Sequence, residues 1–199
     1  MTGLPVTLIR LISGANVRWV GCAPALHQRV YFANHTSHLD SLVLWASLPP
    51  EARALTRPVA ARDYWGKGKL RPYLAAKVIN AVLIERQKVN AGNNPIDQLV
   101  SAVDQGHSLI IFPEGTRSVN GEVGVFKSGI YHLARRRSEL EFIPVLIDNL
   151  NRVLPKGEFL PVPVLSSLSF GASLRLEPAE PKQTFLERAR SAVMGLRDV

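Results

Sequence analysis

Two histidines and an aspartate fall within six positions in the stretch YFANHTSHLD, Tyr31 to Asp40, directly after a short apolar run. Three readings of them are open. An imidazole beside a carboxylate can act as a general base. The carboxylate accepts from one ring nitrogen, fixes the tautomer, and stabilises the imidazolium formed when the other nitrogen takes a proton from a hydroxyl. The spacing suits this, because a turn ending near Ser37 would let His35 fold back toward Asp40. His35, His38 and Asp40 are also metal-ligand types, but the two histidines straddle the expected turn and no cysteine accompanies them. The plain structural reading is that Ser37 caps a helix starting near His38 and Asp40, three residues on, returns the bond as in a capping box. Asn34, His35 and Thr36 also match a glycosylation sequon, which without an export signal is a chance match.

A second stretch, IIFPEGTRS (Ile110 to Ser118), runs a buried apolar strand straight into a polar turn. Strand ends of this kind are where α/β folds place ligand sites. Gly115 would let the backbone approach a ligand, Thr116 supplies a hydroxyl, and Arg117 supplies a planar fork suited to a phosphate. An ordinary polar turn would have the same composition. A serine-nucleophile elbow is absent, since Phe126 stands where the first glycine before Ser128 would be. WGKGKLRP is not a phosphate-binding loop; it reads as a solvated cationic segment.

These residues need elements to hold them. RVYF, AVLIE, SLIIF and EFIPVLI read as strands, and DSLVLWASL, LRPYLAAKVIN, NPIDQLVSAVDQ and SGIYHLARRR as helices between them. Such alternation predicts an α/β fold, a central largely parallel or mixed sheet flanked by helices. Asn94 followed by Pro95 marks a helix start and Gly106 its end, and Thr184 with Glu187 has capping-box spacing for a basic C-terminal helix. RVLPKGEFLPVPVL reads as an irregular crossing. At the N-terminus, Leu8, Leu11, Ile12, Ala15 and Trp19 recur at helical spacing, which predicts an amphipathic helix through Trp19. It either packs on the core or lies in a membrane interface, a choice toward which Arg10, Arg18 and Trp19 lean.

One domain over residues 1–199 is expected, with 1–24 as the amphipathic segment. The formal charge of +8 favours polyanions, whether nucleic acid, an anionic membrane face or acidic substrates. The single cysteine, Cys22, excludes an internal disulfide and a four-thiolate zinc site. No apolar run reaches the roughly 18 residues of a membrane-spanning helix.

With both motifs in order, the chain resembles the glycerolipid acyltransferases of the lysophosphatidic acid acyltransferase type. NHTSHLD carries the family's H-x4-D motif as His35 and Asp40, and FPEGTRS matches its third motif from Phe112 to Ser118. AVLIER looks like the second motif, ending in Arg86, IPVLI like the fourth, centred on Pro144, and FKSG also fits the family pattern. Two departures stand out: Asn80 and Leu83 replace a glycine and a phenylalanine of the second motif, and only 34 residues precede His35.

The resemblance implies acyl transfer from an acyl-CoA or acyl carrier protein thioester to a lysophospholipid hydroxyl. His35 and Asp40 would be catalytic, and Arg86, Thr116, Arg117 and Lys127 would bind the acceptor. Gly115, or the helix near His38, would stabilise the oxyanion, Glu114 would organise its loop, and Pro144 would lie at the acyl pocket. It implies no cofactor and no metal; the lack of a spanning run and the short segment before His35 lead instead to an expectation of peripheral attachment at the cytoplasmic face of an anionic membrane. A non-enzymatic basic module would explain the charge and the run ARRRS but neither motif, so nucleic acid is not an expected partner. Glycerol 3-phosphate or another lysolipid is the alternative acceptor.

Overall fold

The computed structural model describes residues 3–66, 68, 70–86, 92–118, 121–150 and 166–198. RVLPKGEFLPVPVL, and Lys67 and Lys69 of the cationic segment, lie outside them. The four expected strands are β2 (Arg29–Ala33), β4 (Val82–Ile84), β5 (Ser108–Ile111) and β6 (Glu141–Asp148). They join β1 (Asn16–Trp19), β3 (Thr56–Ala61) and β7 (Ser167–Phe170) in one seven-stranded sheet of order β1-β7-β6-β2-β5-β3-β4. Strands β6, β2, β5, β3 and β4 run parallel; β7 is antiparallel to β6, and β1 follows β7. The sheet is therefore mixed, with its parallel part buried on both faces as such sheets require.

Alternate strand residues supply two cores. Val30, Phe32, Leu109, Ile111 and Phe142 face helices α6 (Pro95–Asp104), α7 (Gly129–Arg136) and α8 (Lys182–Met194). Tyr31, Ala33, Ile110, Ile143 and Val145 face α2 (Asp40–Ser47) and Val6 of α1 (Gly3–Ser13). β2 and β5 are buried throughout, and the alternation between the two cores follows from side chains pointing to opposite faces of a strand.

Register decides what meets at the carboxyl edge. Phe32 pairs with Ile111, so residues three further on in each chain, His35 and Glu114, leave the sheet side by side. Ala61 pairs with Ile84 on the neighbouring strands, which brings the residues two further on, Asp63 and Arg86, together in the same way.

Three expectations are corrected. The N-terminal helix stops at Ser13, because Gly14 turns with φ +53° and Asn16–Trp19 pair with β7 instead. Trp19 thus stacks on Phe170 at 4.0 Å, tertiary pairing overriding helical spacing. The C-terminal helix begins at Lys182, and Glu187 accepts from Gln183 Nε2 rather than serving a cap at Thr184. At the first motif, α2 begins at Asp40 rather than near His38, although the capping contacts form: Ser37 Oγ accepts from the Leu39 amide at 3.3 Å and Asp40 Oδ2 from the Ser37 amide at 2.9 Å. Elsewhere the local signals act as read: Asn94 Oδ1 accepts from the Ile96 amide, and Gly106 follows α6 with φ +88°. The AVLIER strand follows α5 (Leu70–Tyr73), which runs into a π-helical turn over Leu74–Val78. Asn80 then takes φ +46°, a conformation glycine adopts freely and asparagine tolerates.

Candidate active site

The site starts from the end of β2. Buried Asn34 locks this strand to β6 with a two-way amide pair, its Nδ2 donating to the Ile147 carbonyl at 2.9 Å and its Oδ1 accepting from the Ile147 amide at 2.8 Å. His35 follows at once, so its position is fixed by the sheet. Its Nδ1 lies 2.7 Å from Asp40 Oδ2. The same oxygen accepts from the amides of Thr36 at 2.7 Å and Ser37 at 2.9 Å. Asp40 is fully buried at the first turn of α2, where a carboxylate is favoured by the helix dipole. The far end of α2 is held too: Arg10 Nε and Arg53 Nη1 donate to the Ala46 carbonyl, and Arg53 also to that of Leu48. The Phe112 ring stacks on the imidazole with centroids 4.4 Å apart.

The loop after β5 is tied to the same turn. Glu114 is buried, and its Oε1 accepts from the His35 amide at 2.9 Å, while the Ser118 amide donates to the His35 carbonyl at 2.7 Å. Burial raises the Glu114 carboxyl above its ordinary value, against the lowering effect of the His35 and Gly124 amides. Gly115 has φ +70°, and a Cβ there would lie 2.9 Å from Lys127 Nζ, so glycine leaves the lysine its path. The Gly115 amide donates to the Phe112 carbonyl at 3.0 Å. It is therefore engaged within the loop, as the Thr36 and Ser37 amides are engaged by Asp40, and none of the three is a spare oxyanion donor.

Beside these groups opens a cavity of about 600 Å³, within the roughly 300–1,000 Å³ of small-molecule sites. His35, Arg86, Gly115, Thr116, Arg117 and Lys127 all line it. Its apolar wall is Val59, Ile84, Ile96, Leu99, Ile111 and Ile130, which belong to the core on the α6 and α7 side. Arg86 donates from Nη1 to the Gly115 carbonyl at 3.0 Å.

Asp40 and Glu114 are buried behind the lining and act through His35, whereas Pro144 stands apart from the site. It is buried in β6 and does not line the cavity; a Cβ on Gly171 would meet its ring at 3.0 Å. Sequence reading also passed over Asn34, Phe112 and Asp63 as members of the site. An amide directly before a strand-end histidine is the available signal for Asn34. Among the described residues no group of three or more His, Cys, Asp or Glu side chains could hold a metal ion.

A mixed α/β sheet with an imidazole–carboxylate pair at its carboxyl edge, facing cations and an apolar wall, is suited to base-assisted transfer onto the hydroxyl of an amphipathic anion. Residues 16–148 match the family described as Acyltransferase, and the chain belongs to that family. It is 31% identical over 162 residues to a 1-acyl-sn-glycerol-3-phosphate acyltransferase of Limnanthes douglasii, covering 79% of this chain and 54% of that protein. With 1-acyl-sn-glycerol-3-phosphate acyltransferase alpha of Homo sapiens it shares 28% over 136 residues, 68% of this chain and 46% of the relative. The chain thus spans about half the length of these curated relatives. The fold is that of the 1-acyl-sn-glycerophosphate (LPA) acyltransferase PlsC from Thermotoga maritima, whose crystal structure superposes with a TM-score of 0.74 at 19% identity, over 97% of this chain and 78% of that one.

Proposed function

We propose that this chain transfers a fatty acyl group from a thioester to the free hydroxyl of lysophosphatidic acid, giving phosphatidic acid. The observation that carries the reading is a single cavity faced by a part-exposed His35, held from behind by buried Asp40, together with three cationic side chains and an apolar wall. The acceptor named in the relatives, an acylated glycerol phosphate, has the hydroxyl, the phosphate and the chain that such a cavity would serve.

In this mechanism His35 takes the acceptor's hydroxyl proton on Nε2 as the oxygen attacks the thioester carbon. Asp40 holds Nδ1 and stabilises the imidazolium. Collapse of the tetrahedral intermediate breaks the carbon–sulfur bond, and the departing thiolate takes the proton back from His35. Arg86 and Arg117 hold the acceptor phosphate, with Lys127 adding a less directional charge. Glu114 keeps the loop in place through the His35 amide. The thioester is already activated, so the reaction calls for no cofactor. The donor is acyl-CoA or acyl-acyl carrier protein, both acidic and suited to a chain of net charge +8.

Attachment is peripheral, at the cytoplasmic face of an anionic membrane. No helix among the described residues is long and apolar enough to cross one. Leu8 and Leu11 of α1 are 57% and 75% exposed while Val6 is buried, which gives the short helix an anchored face and an outward apolar face. The test is transfer from a labelled acyl thioester to lysophosphatidic acid, other lysophospholipids and glycerol 3-phosphate, with His35→Ala as the blank. Selective labelling of lysophosphatidic acid is expected; transfer only to glycerol 3-phosphate or to a phosphodiester lysolipid overturns the acceptor.

A further inference from the structure

We propose that Asp63 is a positioning residue for the acceptor phosphate, holding Arg86 by its side edge so that the opposite end of the guanidinium faces the cavity. The inference rests on the reading of Arg86 as a phosphate ligand and adds a residue outside the recognised motifs. Arg86 Nε donates to Asp63 Oδ1 at 3.3 Å, and Nη2 donates to Oδ1 at 3.1 Å and to Oδ2 at 2.9 Å. Nη1 meanwhile donates to the Gly115 carbonyl at 3.0 Å. A guanidinium has five N–H donors in a rigid plane. With the Nε edge on Asp63 and one Nη1 hydrogen on Gly115, the plane is set from two sides. One Nη1 and one Nη2 hydrogen remain for a ligand, on a side chain that lines the cavity.

The register of the sheet builds this contact. Asp63 lies two residues beyond Ala61 of β3, in α4 (Arg62–Trp65), and Arg86 lies two beyond Ile84 of β4; Ala61 and Ile84 are partners. The pair is therefore fixed by two strand ends rather than by a long flexible reach. Its stabilising effect is small: the side chains are 39% and 29% exposed, and such pairs contribute about 0–1 kcal/mol. What the fork determines is direction. An arginine released from Asp63 would sample many rotamers at the cavity mouth and meet a phosphate in few of them. Asp63 is not placed to touch the reacting atoms, so its effect should appear in acceptor binding and not in the chemical step.

The test is steady-state acyl transfer by the full chain with Asp63→Asn, Asp63→Glu, Arg86→Ala and the double variant that combines D63N with R86A, measuring KM for lysophosphatidic acid and for the acyl thioester separately. Asp63→Asn should raise the acceptor KM by up to about fivefold, the most that a half-exposed pair of this strength can shift an equilibrium, with thioester KM and kcat little changed. Asp63→Glu should recover part of it. The double variant should be no worse than Arg86→Ala alone, since Asp63 acts through that arginine. A lower acceptor KM in Asp63→Asn overturns the proposal, because Asp63 would then be competing with the phosphate. Additive effects overturn it as well. If Arg86→Ala leaves the acceptor KM unchanged, the phosphate reading of Arg86 fails instead, and the proposal goes with it. Arg86→Ala raising that KM while Asp63→Asn does not sinks only the role of Asp63.

Discussion

Asp40→Asn separates a charge from a shape. Asp40 Oδ2 accepts three bonds, from His35 Nδ1 and the amides of Thr36 and Ser37, while Oδ1 is buried with no partner. An asparagine can place its oxygen where Oδ2 lies and its NH2 where Oδ1 lies, keeping all three bonds. What it loses is the negative charge facing the imidazolium. Unit charges about 4 Å apart interact by about 4 kcal/mol at an effective dielectric near 20, equivalent to about 10³ in rate. The change from a charged to a neutral acceptor in one hydrogen bond alone gives about 1–2 kcal/mol, or roughly tenfold and upward. Turnover should therefore fall by about 10²- to 10³-fold, with acceptor and donor KM near wild type. Stability should move little, because an unpaired buried NH2 costs about 1–3 kcal/mol and the relief of a buried charge offsets part of it. The assay is thioester-dependent acyl transfer beside a melting curve. Wild-type turnover at unchanged melting would reduce Asp40 to a cap and refute the base–orienter mechanism.

Arg117→Ala should raise the acceptor KM by about 10- to 100-fold through the loss of a charge-assisted contact to phosphate; a fallen kcat at constant KM would move Arg117 to transition-state stabilisation. Leu8→Ser with Leu11→Ser should abolish flotation with anionic vesicles while shifting stability by no more than about 0.5 kcal/mol, as for exposed positions; a collapsed melting temperature would show a core role for both leucines. Glu141 is held below the ordinary glutamate value of 4.5 by the His27 hydrogen bond, then by the Arg29 bond and the positive charges of Arg29 and His27, against burial. A depressed carboxyl contributes stability above its unfolded value and loses it as pH falls through the folded one, so Glu141→Gln should be less stable than wild type at pH 7. That gap should close in melting curves taken progressively below pH 4.5; a gap constant with pH would make the loss one of packing.

The strands legible in the sequence were those whose apolar runs fill both faces of the parallel sheet, such as Val30–Ala33 and Ser108–Ile111. Those that escaped notice lack such a run. In β3, TRPVAA alternates buried and half-buried residues around a proline, and β1 at the sheet's edge is exposed at every second position. Helical spacing in residues 8–19 was real but local. It could not register that Asn16–Trp19 would find β7, about 150 residues away in sequence. The capping signals behaved similarly. Asn94 works because its helix starts where the side chain points, whereas Thr184 lies inside a helix that Pro181 had already started.

The two motifs were legible for a different reason: each is a strand end followed by its own ligand chemistry, and each carries most of its geometry within ten residues. Their mutual position was not. It depends on Phe32 pairing with Ile111, a fact of register that no local pattern encodes, and a slip of one residue would turn every side chain of β2 to the other face. Two contacts hold the strand against that slip near the site. Asn34 makes both amide bonds to Ile147 on β6, and Glu114 takes the His35 amide from the β5 side. The imidazole is thus clamped between its two neighbouring strands before Asp40 orients it. Arg86 arrives by the same route, from a pair of strands whose register also sets Asp63 beside it. The chemistry was written in the motifs, and its alignment in the sheet between them.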